Sequence, residues 1–229
     1  MIMATRIIIS LGGSIIIPKT GFDPVFLKAF RAFILAEIKK GRTFLFIVGG
    51  GATCRMYQQA LRTCTSIMDD DLDWMGIAAT KINAEFVRLL FKDSAYKEVV
   101  ANPTKKIRTT KPIIVASGYM PGNSSDFGAV TFAKTVGATD VINLSNIAYA
   151  YDKDPAIYND ARKIKKISWK DFRKIVGNTW EPGLNLPFDP VASREAEKLG
   201  LRVSILCGTD LTEVKKAISG RTFRGTRIF

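Results

Sequence analysis

The sequence contains no histidine and only three cysteines among its 229 residues. The absence of histidine excludes a Ser-His-Asp triad and histidine-ligated zinc, and it removes the commonest general base. Cys54, Cys64 and Cys207 lack a paired ligand spacing, so we interpret them as small core residues in a reducing cytoplasm. No apolar run approaches the roughly 20 residues of a bilayer-spanning helix, so we expect no membrane association and no targeting signal.

Acidic residues are scarce relative to basic ones. The chain has 34 Lys and Arg against 21 Asp and Glu, which gives a net charge of +13. Such a surplus fits nucleic-acid binding, but neither an aromatic stacking motif nor a zinc-finger spacing accompanies it. We therefore interpret the charge as a solvated basic surface, part of it near anionic small-molecule substrates, and predict no nucleic-acid partner.

Apolar runs alternate with amphipathic segments along the whole chain. Strands are predicted at 6–11, 43–48, 112–117, 139–144, 202–206 and 226–229. Helices are predicted to begin at Asp23-Pro24, at Ser125 or Asp126, at Ser168 and at Asp189-Pro190. A long helix is predicted over 73–91, with Ile77, Ala78, Ile82, Phe86 and Leu89 on one side.

This alternation indicates a three-layer α/β/α sandwich with a mainly parallel central sheet. The sequence has no internal repeats and no obvious linker. We predict a single domain over 1–229, made of two lobes that meet near residue 135.

Small residues concentrate where the predicted strands end. The loops are Gly12-Gly13-Ser14, Gly49-Gly50-Gly51 and residues 118–125 and 145–155. Ligands of open α/β sheets collect at the carboxyl ends of strands, and glycine-rich helix starts hold phosphate charge. One such loop is usually an ordinary turn, but several on one sheet edge predict a phosphate site. Neither the Walker A motif nor the dinucleotide-binding G-x-G-x-x-G occurs.

Short motifs follow one another in order along nearly the whole chain. They are I-I-S-L-G-G-S at 8–14, V-G-G-G at 48–51 with Arg55, D-W-M-G-I-A-A-T-K-I-N-A at 73–84, G-Y-M-P-G-N-S-S-D at 118–126, Ser145-Asn146 with Tyr151 and Asp154-Pro155, F-D-P-V-A at 188–192, and Gly225-Thr226. This series resembles the amino-acid-kinase superfamily, and within it the archaeal-type uridylate (UMP) kinases.

The resemblance implies transfer of a phosphoryl group from ATP to UMP, with Mg²⁺, in a cytoplasmic homohexamer. It implies that ATP is bound by Gly12, Gly13, Ser14, Gly51, Arg55, Ser145, Asn146, Tyr151 and Asp154. It implies that UMP is bound by Gly50, Asp73, Tyr119, Met120, Pro121, Gly122, Asn123, Ser124 and Ser125. The implied catalytic residues are Ser14, Arg55 and Asp126, and no protein ligand for a metal is predicted. The two lobes would be an acceptor-binding lobe over about 1–135 and an ATP-binding lobe over about 136–229.

Several of these residues have simpler interpretations. Arg55 could be a surface residue of a helix, and Tyr151 could be ordinary core. Asp73 could be a plain helix cap. Asp126 could cap its helix, position Mg²⁺-bound groups, or do both.

The chain departs from the family pattern at three places. Many members carry a lysine where this chain has Ser10, and residues 147–151 replace V-D-G-V-Y. Residues 180–186 replace a loop that carries a lysine in several relatives. Donor-site charge would then come from Arg55, Lys153, Mg²⁺ and backbone dipoles.

Other functions on the same fold stay open. An isopentenyl phosphate kinase is expected to use a histidine, which this chain lacks, and the segments at 73–84 and 118–126 favour a nucleotide over acetylglutamate or carbamate. A relative that binds nucleotides or metal oxyanions without catalysis is a further alternative.

Overall fold

A mainly parallel sheet forms the centre of the molecule. The computed structural model describes residues 6–179 and 186–229. The strands are β1 Ile7–Leu11, β2 Phe44–Val48, β3 Ile113–Ala116, β4 Asp140–Ser145, β5 Ala150–Tyr151, β6 Lys163–Ile164, β7 Lys166–Ile167, β8 Arg202–Cys207 and β9 Thr226–Ile228. The sheet order is β3-β2-β1-β4-β8-β9-β7, while β5 and β6 form a separate antiparallel hairpin. Within the sheet β9 is antiparallel to β8 and the other pairings are parallel, which confirms the predicted sheet.

Helices cover both faces of this sheet. They are α1 Gly13–Ile16, α2 Pro24–Ile38, α3 Gly51–Cys64, α4 Asp69–Leu90, α5 Ser125–Val136, α6 Trp169–Val176, α7 Pro190–Lys198 and α8 Leu211–Ile218. Strand side chains alternate between the faces: Ile8 and Ile47 pack with α5, α6 and α7, whereas Ile9 and Phe46 pack with α2, α4 and α8. The predicted three-layer sandwich is therefore confirmed.

Short polar side chains begin several helices, as predicted. Asp23, Ser168 and Asp189 each accept a hydrogen bond from a backbone N–H in the first turn of the helix that follows. At α5 the capping residue is Ser124, whose hydroxyl accepts from the backbone N–H of Asp126. The interpretation of Asp126 as a helix cap is therefore wrong, because its carboxylate makes other contacts.

The long helix α4 differs from its prediction in its start and in its buried side. It begins at Asp69, because the acidic residues of its first turn suit the positive end of the helix dipole. Asp73 therefore lies within the helix, and its interpretation as a plain cap is wrong. Ile82 and Leu89 are 59% and 52% exposed, whereas Val87 is buried. The helix is apolar on two sides, so hydrophobic spacing alone could not identify the side that faces the sheet.

The cysteines are not core residues. Cys64 is exposed in the last turn of α3, and Cys54 and Cys207 are partly buried, so the core interpretation is wrong. In residues 6–179 and 186–229, no group of three or more Cys, Asp or Glu side chains could hold a metal ion. Nor does any helix in these ranges have the length and apolar character needed to cross a membrane.

Candidate active site

Two glycine loops meet at the carboxyl edge of the sheet. Because β1 and β2 are parallel neighbours, the segments that follow Leu11 and Val48 emerge side by side. A Cβ atom on Gly13 would lie 2.1 Å from the backbone nitrogen of Gly51, and Gly51 itself has a left-handed φ of 61°. The two loops thus touch backbone to backbone, and glycine is required on both sides of the contact.

A cavity of about 250 Å³ opens beside this contact. The predicted site residues that line it are Gly13, Ser14, Gly50, Gly51, Arg55, Asp73, Asn123, Ser124, Ser125 and Asp126. Residues without a predicted site role complete the wall: Gly49, Cys54, Gln58, Gly76, Ile77, Thr80, Gly118, Leu186 and Asp189. The fold therefore brings three of the predicted loops into one site. The rest of the loop predicted at 180–186, before Leu186, lies outside the described residues.

Polar residues of α4 hold two of these loops in place. The buried Asn83 donates from Nδ2 to the carbonyl oxygens of Gly49 and Gly50, both at 2.9 Å. One turn earlier, Thr80 Oγ1 accepts from the backbone N–H of Gly118 at 2.8 Å. Sequence reasoning assigned no role to either side chain. Their spacing of three positions, which places two uncharged polar side chains on one face of the helix, was the signal that could have identified them.

Asp73 connects α4 to the loop before α5. Its Oδ2 accepts from the backbone N–H of Gly122 at 2.7 Å, next to Pro121. Tyr119 and Met120 of this loop are exposed and line a smaller neighbouring cavity rather than the main one. The loop thus has one side on the main cavity and one side towards solvent.

The first turn of α3 supplies a cation and a thiol. Arg55 is exposed and lines the main cavity. Burial raises the pKa of the adjacent Cys54 thiol, and the negative charge of Asp73 adds to this increase while Arg55 opposes it. A raised pKa keeps the thiol protonated and argues against a nucleophilic cysteine.

The predicted ATP residues beyond the glycine loops lie outside the main cavity. Ser145 ends β4 and Asn146 follows it, so both lie at the carboxyl edge beside β1. Tyr151 is on the hairpin strand β5 and is partly buried, and Asp154 Oδ1 accepts from the backbone N–H of Ala156. Gly12 is tied to the same edge, because its N–H donates to Leu144 O at 2.9 Å.

Asp126 lies at the inner end of the cavity, within a network of neutral donors. Its Oδ1 accepts from Ser10 Oγ at 2.7 Å and from Asn143 Nδ2 at 2.9 Å. Its Oδ2 accepts from the backbone N–H of Asp189 at 3.3 Å. Sequence reasoning gave no site role to Ser10, Asn143 or Asp189, because only the packing of β1, β4, α5 and α7 brings them together.

Burial controls the charge of this carboxyl group. Burial raises the pKa of Asp126 to about 7, and the nearby Asp189 adds to the increase. The hydrogen bond from Ser10 opposes it, because a donor stabilises the ionised form. The pKa of Asp189 is also raised by burial. A carboxyl group that titrates near neutral pH in a cavity is a candidate for function.

Comparison with known proteins identifies the family of this chain. The family model described as "Amino acid kinase family" matches residues 5–207. The chain belongs to the amino acid kinase family. It is 31% identical to a uridylate kinase of Methanothermobacter thermautotrophicus over 220 residues, which is 94% of this chain and 96% of that protein. It is 28% identical to a uridylate kinase of Methanococcus aeolicus, over 97% of this chain and 99% of that one.

A solved structure shows the same amino acid kinase architecture. The crystal structure of uridylate kinase from Archaeoglobus fulgidus superposes with a TM-score of 0.82 at 26% sequence identity. The match covers 98% of this chain and 100% of that chain. The amino acid kinase fold therefore extends over the described chain, including the edge where the two glycine loops meet.

Proposed function

We propose that the protein is a UMP kinase, which transfers the γ-phosphoryl group of ATP to UMP and forms UDP in the cytoplasm. The observation that carries the proposal is the single cavity where both glycine loops face Asp73 and the loop that ends at Asp126. The relatives named uridylate kinase support it, because they match over almost their whole length.

UMP would occupy the side of the cavity formed by α4 and the loop before α5. Asp73 would accept hydrogen bonds from ribose hydroxyls, and its bond to the N–H of Gly122 fixes its carboxylate beside the loop. The segment from Tyr119 to Ser125 would surround the nucleotide. Gly50, held by Asn83, would approach the phosphate of UMP.

The ATP phosphates would lie over the contact between the two glycine loops. Gly13, Ser14 and Gly51 have backbone N–H groups in this region, and α3 begins there. Gly12, whose own N–H donates to Leu144 O, would shape the turn that carries them. The guanidinium of Arg55 offers forked donors that suit phosphate oxygens. Ser145, Asn146, Tyr151 and Asp154 would hold the base and ribose beyond the cavity.

Phosphoryl transfer requires alignment and charge neutralisation more than covalent chemistry by the protein. A phosphate oxygen of UMP is already a nucleophile, so the lack of histidine is no obstacle. Ser14 would contribute to the phosphate-binding turn, and Arg55 would neutralise charge between donor and acceptor. Asp126, at the inner end, would orient groups around the transferred phosphoryl.

The residues present fit Mg²⁺ that arrives with ATP. This ion usually binds one or two carboxylates together with substrate phosphates and keeps several waters. Asp126 and Asp189 line the same cavity and could supply such a carboxylate. When bound, Mg²⁺ neutralises charge on the phosphates.

We also propose a homo-oligomer, a homohexamer by resemblance. Large apolar side chains are exposed on α3 and α4, including Met56 at 63%, Trp74 at 52% and Ile82 at 59%. Exposed apolar side chains of this size on two neighbouring helices would suit an interface between subunits. The acceptor-binding lobe would span about 1–135 and the ATP-binding lobe about 136–229, joined through the pairing of β1 with β4.

A comparison of acceptors tests the proposed activity. The purified protein is supplied with ATP, Mg²⁺ and one of UMP, CMP, acetylglutamate or isopentenyl phosphate, and kcat/KM is measured for each. We expect UMP to give the highest kcat/KM. Arg55→Ala should lower this value, and such a decrease would exclude a contaminating kinase as the source of the activity. Equal or better turnover of a non-nucleotide would overturn the proposal. So would UMP binding without turnover, which would favour a binding protein.

A further inference from the structure

A second cavity lies at the other end of the sheet, away from the candidate active site. It measures about 440 Å³ and is bounded by the loop before β9, the strands β7 and β9, and Tyr149 next to the hairpin. Lys165, Lys166, Phe223 and Arg227 contribute to its wall. It shares no lining residue with the candidate active site.

The charged residues that line this cavity are all basic. Lys166 and Arg227 are register partners in the parallel pair β7 and β9, so two cations stand side by side on one face of the sheet. Lys165 adjoins them, and the Nζ of Lys163 lies 5.5 Å from the centre of the Tyr149 ring. No salt bridge in residues 6–179 and 186–229 includes any of these four residues, although the carboxylate of Asp140 lies within electrostatic range of Arg227. Because the lysines repel one another, an anion between them would stabilise the arrangement.

The ring of Phe223 forms an apolar part of the cavity wall and packs directly against the backbone. The guanidinium carbon of Arg227 lies 5.2 Å from the centre of the Phe223 ring. Gly225 is buried, and a Cβ atom there would lie 2.5 Å from a carbon of the same ring. Glycine at this position therefore lets the ring lie against the chain. A planar group could pack on the aromatic wall while its charge meets the cations.

We propose that this cavity binds a small anionic ligand that carries a di- or triphosphate group. The phosphates contact Lys165, Lys166 and Arg227, and the organic part packs against Tyr149 and Phe223. Cations clustered on a flat surface would favour any polyanion, but the concave shape of the half-open cavity and its two rings favour a compact phosphorylated molecule over an extended strand.

The cavity is coupled to the hairpin through a buried hydroxyl. Thr226 Oγ1 accepts from the backbone N–H of Ala150 at 2.9 Å and donates to Ile164 O at 2.5 Å. Both strands of the hairpin are thereby tied to β9, whose Arg227 lines the cavity. A bound ligand should therefore reduce opening of the hairpin.

Inorganic tripolyphosphate is the probe for this site. Its binding to the whole protein is measured by isothermal titration calorimetry at low salt, and hydrogen exchange with mass spectrometry locates it. We expect slower exchange in peptides that cover 148–151 and 163–167. The double variant Lys165→Gln/Lys166→Gln should bind at least about tenfold more weakly at this site, since hydrogen bonds to charged groups are lost.

The matched control is Lys170→Gln/Lys174→Gln, which removes the same charge from exposed positions on α6. It should change the affinity by less than about twofold if the contacts are specific rather than a general charge effect. Equal losses in the two double variants would overturn the proposal, as would protection confined to 49–55. If a short single-stranded oligonucleotide binds more tightly than tripolyphosphate through the same lysines, the site binds nucleic acid and the proposal of a small ligand is wrong. ATP and UMP are absent throughout, so the result is independent of the proposed kinase activity.

Discussion

The hydroxyl of Ser10 donates a hydrogen bond of 2.7 Å to Oδ1 of Asp126, which joins the end of β1 to the first turn of α5. Ser10 is buried, and it stands where the family pattern noted in the sequence analysis would place a lysine. A lysine would place a positive charge beside the carboxylate, whereas serine supplies one neutral donor. The pKa of Asp126 therefore depends on two opposing effects: burial favours the protonated form, and hydrogen bonds from neutral donors favour the ionised form.

Ser10→Ala should raise the pKa of Asp126 above its value of about 7, because a donor to the ionised form is lost. If activity requires the ionised carboxylate, the rising limb of kcat/KM against pH should move to higher pH. The profile is measured with UMP, ATP and Mg²⁺ between pH 5.5 and 9. Ser204→Ala, which removes a hydroxyl from β8, is the control and should leave the profile in place. An identical profile in Ser10→Ala would contradict the role given to this bond.

Asp126→Asn should lower kcat at least about tenfold, equivalent to about 1.4 kcal/mol, because the charge near the phosphates is lost. The response of activity to Mg²⁺ should weaken as well. Initial rates over a series of Mg²⁺ concentrations measure both effects. Wild-type kcat with unchanged Mg²⁺ dependence would leave Asp126 as a structural residue only. Asp171→Asn, a change of the same type in the exposed first turn of α6, should have no effect on either quantity.

We also expect Asp126→Asn to change how the stability of the protein depends on pH. Between about pH 4 and 7 the folded protein holds a proton on Asp126 that the unfolded chain releases, because the folded pKa is raised. This residue therefore makes stability fall as pH rises through that window. Asp126→Asn removes the contribution, so its Tm relative to wild type should increase from pH 5 to pH 8. A Tm difference that is constant across this range would show that the carboxyl group does not titrate there.

Arg55→Ala should lower kcat/KM by roughly 2–4 kcal/mol of transition-state stabilisation, the amount typical of one donor to a developing charge. Because the side chain is exposed, the Tm should stay close to that of wild type. Arg62→Ala, at another exposed position of α3, is the matched control and should retain activity. A near-normal kcat/KM for Arg55→Ala would return Arg55 to the group of ordinary surface residues.

Gly13→Ala should disrupt the meeting point of the two glycine loops. Its Cβ atom would lie 2.1 Å from one backbone atom of Gly51 and 2.5 Å from another, so the backbones must separate. We expect a loss of about 2 kcal/mol or more in unfolding free energy, together with loss of activity. Gly128→Ala is the control, because its Cβ atom would meet only Ile47 Cγ2, at 3.4 Å. Denaturant titrations and kcat measurements compare the two variants.

Local signals explain what the sequence predicted well. Asp23 and Asp189, each followed by proline, marked helix starts because capping and the fixed φ of proline act over a few residues. The glycine loops were predictable for the same reason. The network around Asp126 was not, because its partners come from positions 10, 143 and 189 and meet only after the sheet and helices have packed. The side of α4 that faces the sheet also depends on tertiary packing.

The position of Asp126 limits how the enzyme can open. Asp126 belongs to the proposed acceptor-binding lobe, whereas Asn143 and the N–H of Asp189 belong to the proposed ATP-binding lobe. A hinge motion between the lobes would pull a buried carboxylate away from both donors, and such groups are costly to leave unpaired. Nucleotide entry and product release should therefore proceed by movement of the β5–β6 hairpin and of the segment at 119–125, which can leave α4 when the bond from the Gly122 N–H to Asp73 breaks. The turnover rate would then be sensitive to substitutions in these peripheral segments, while the two lobes stay fixed against each other.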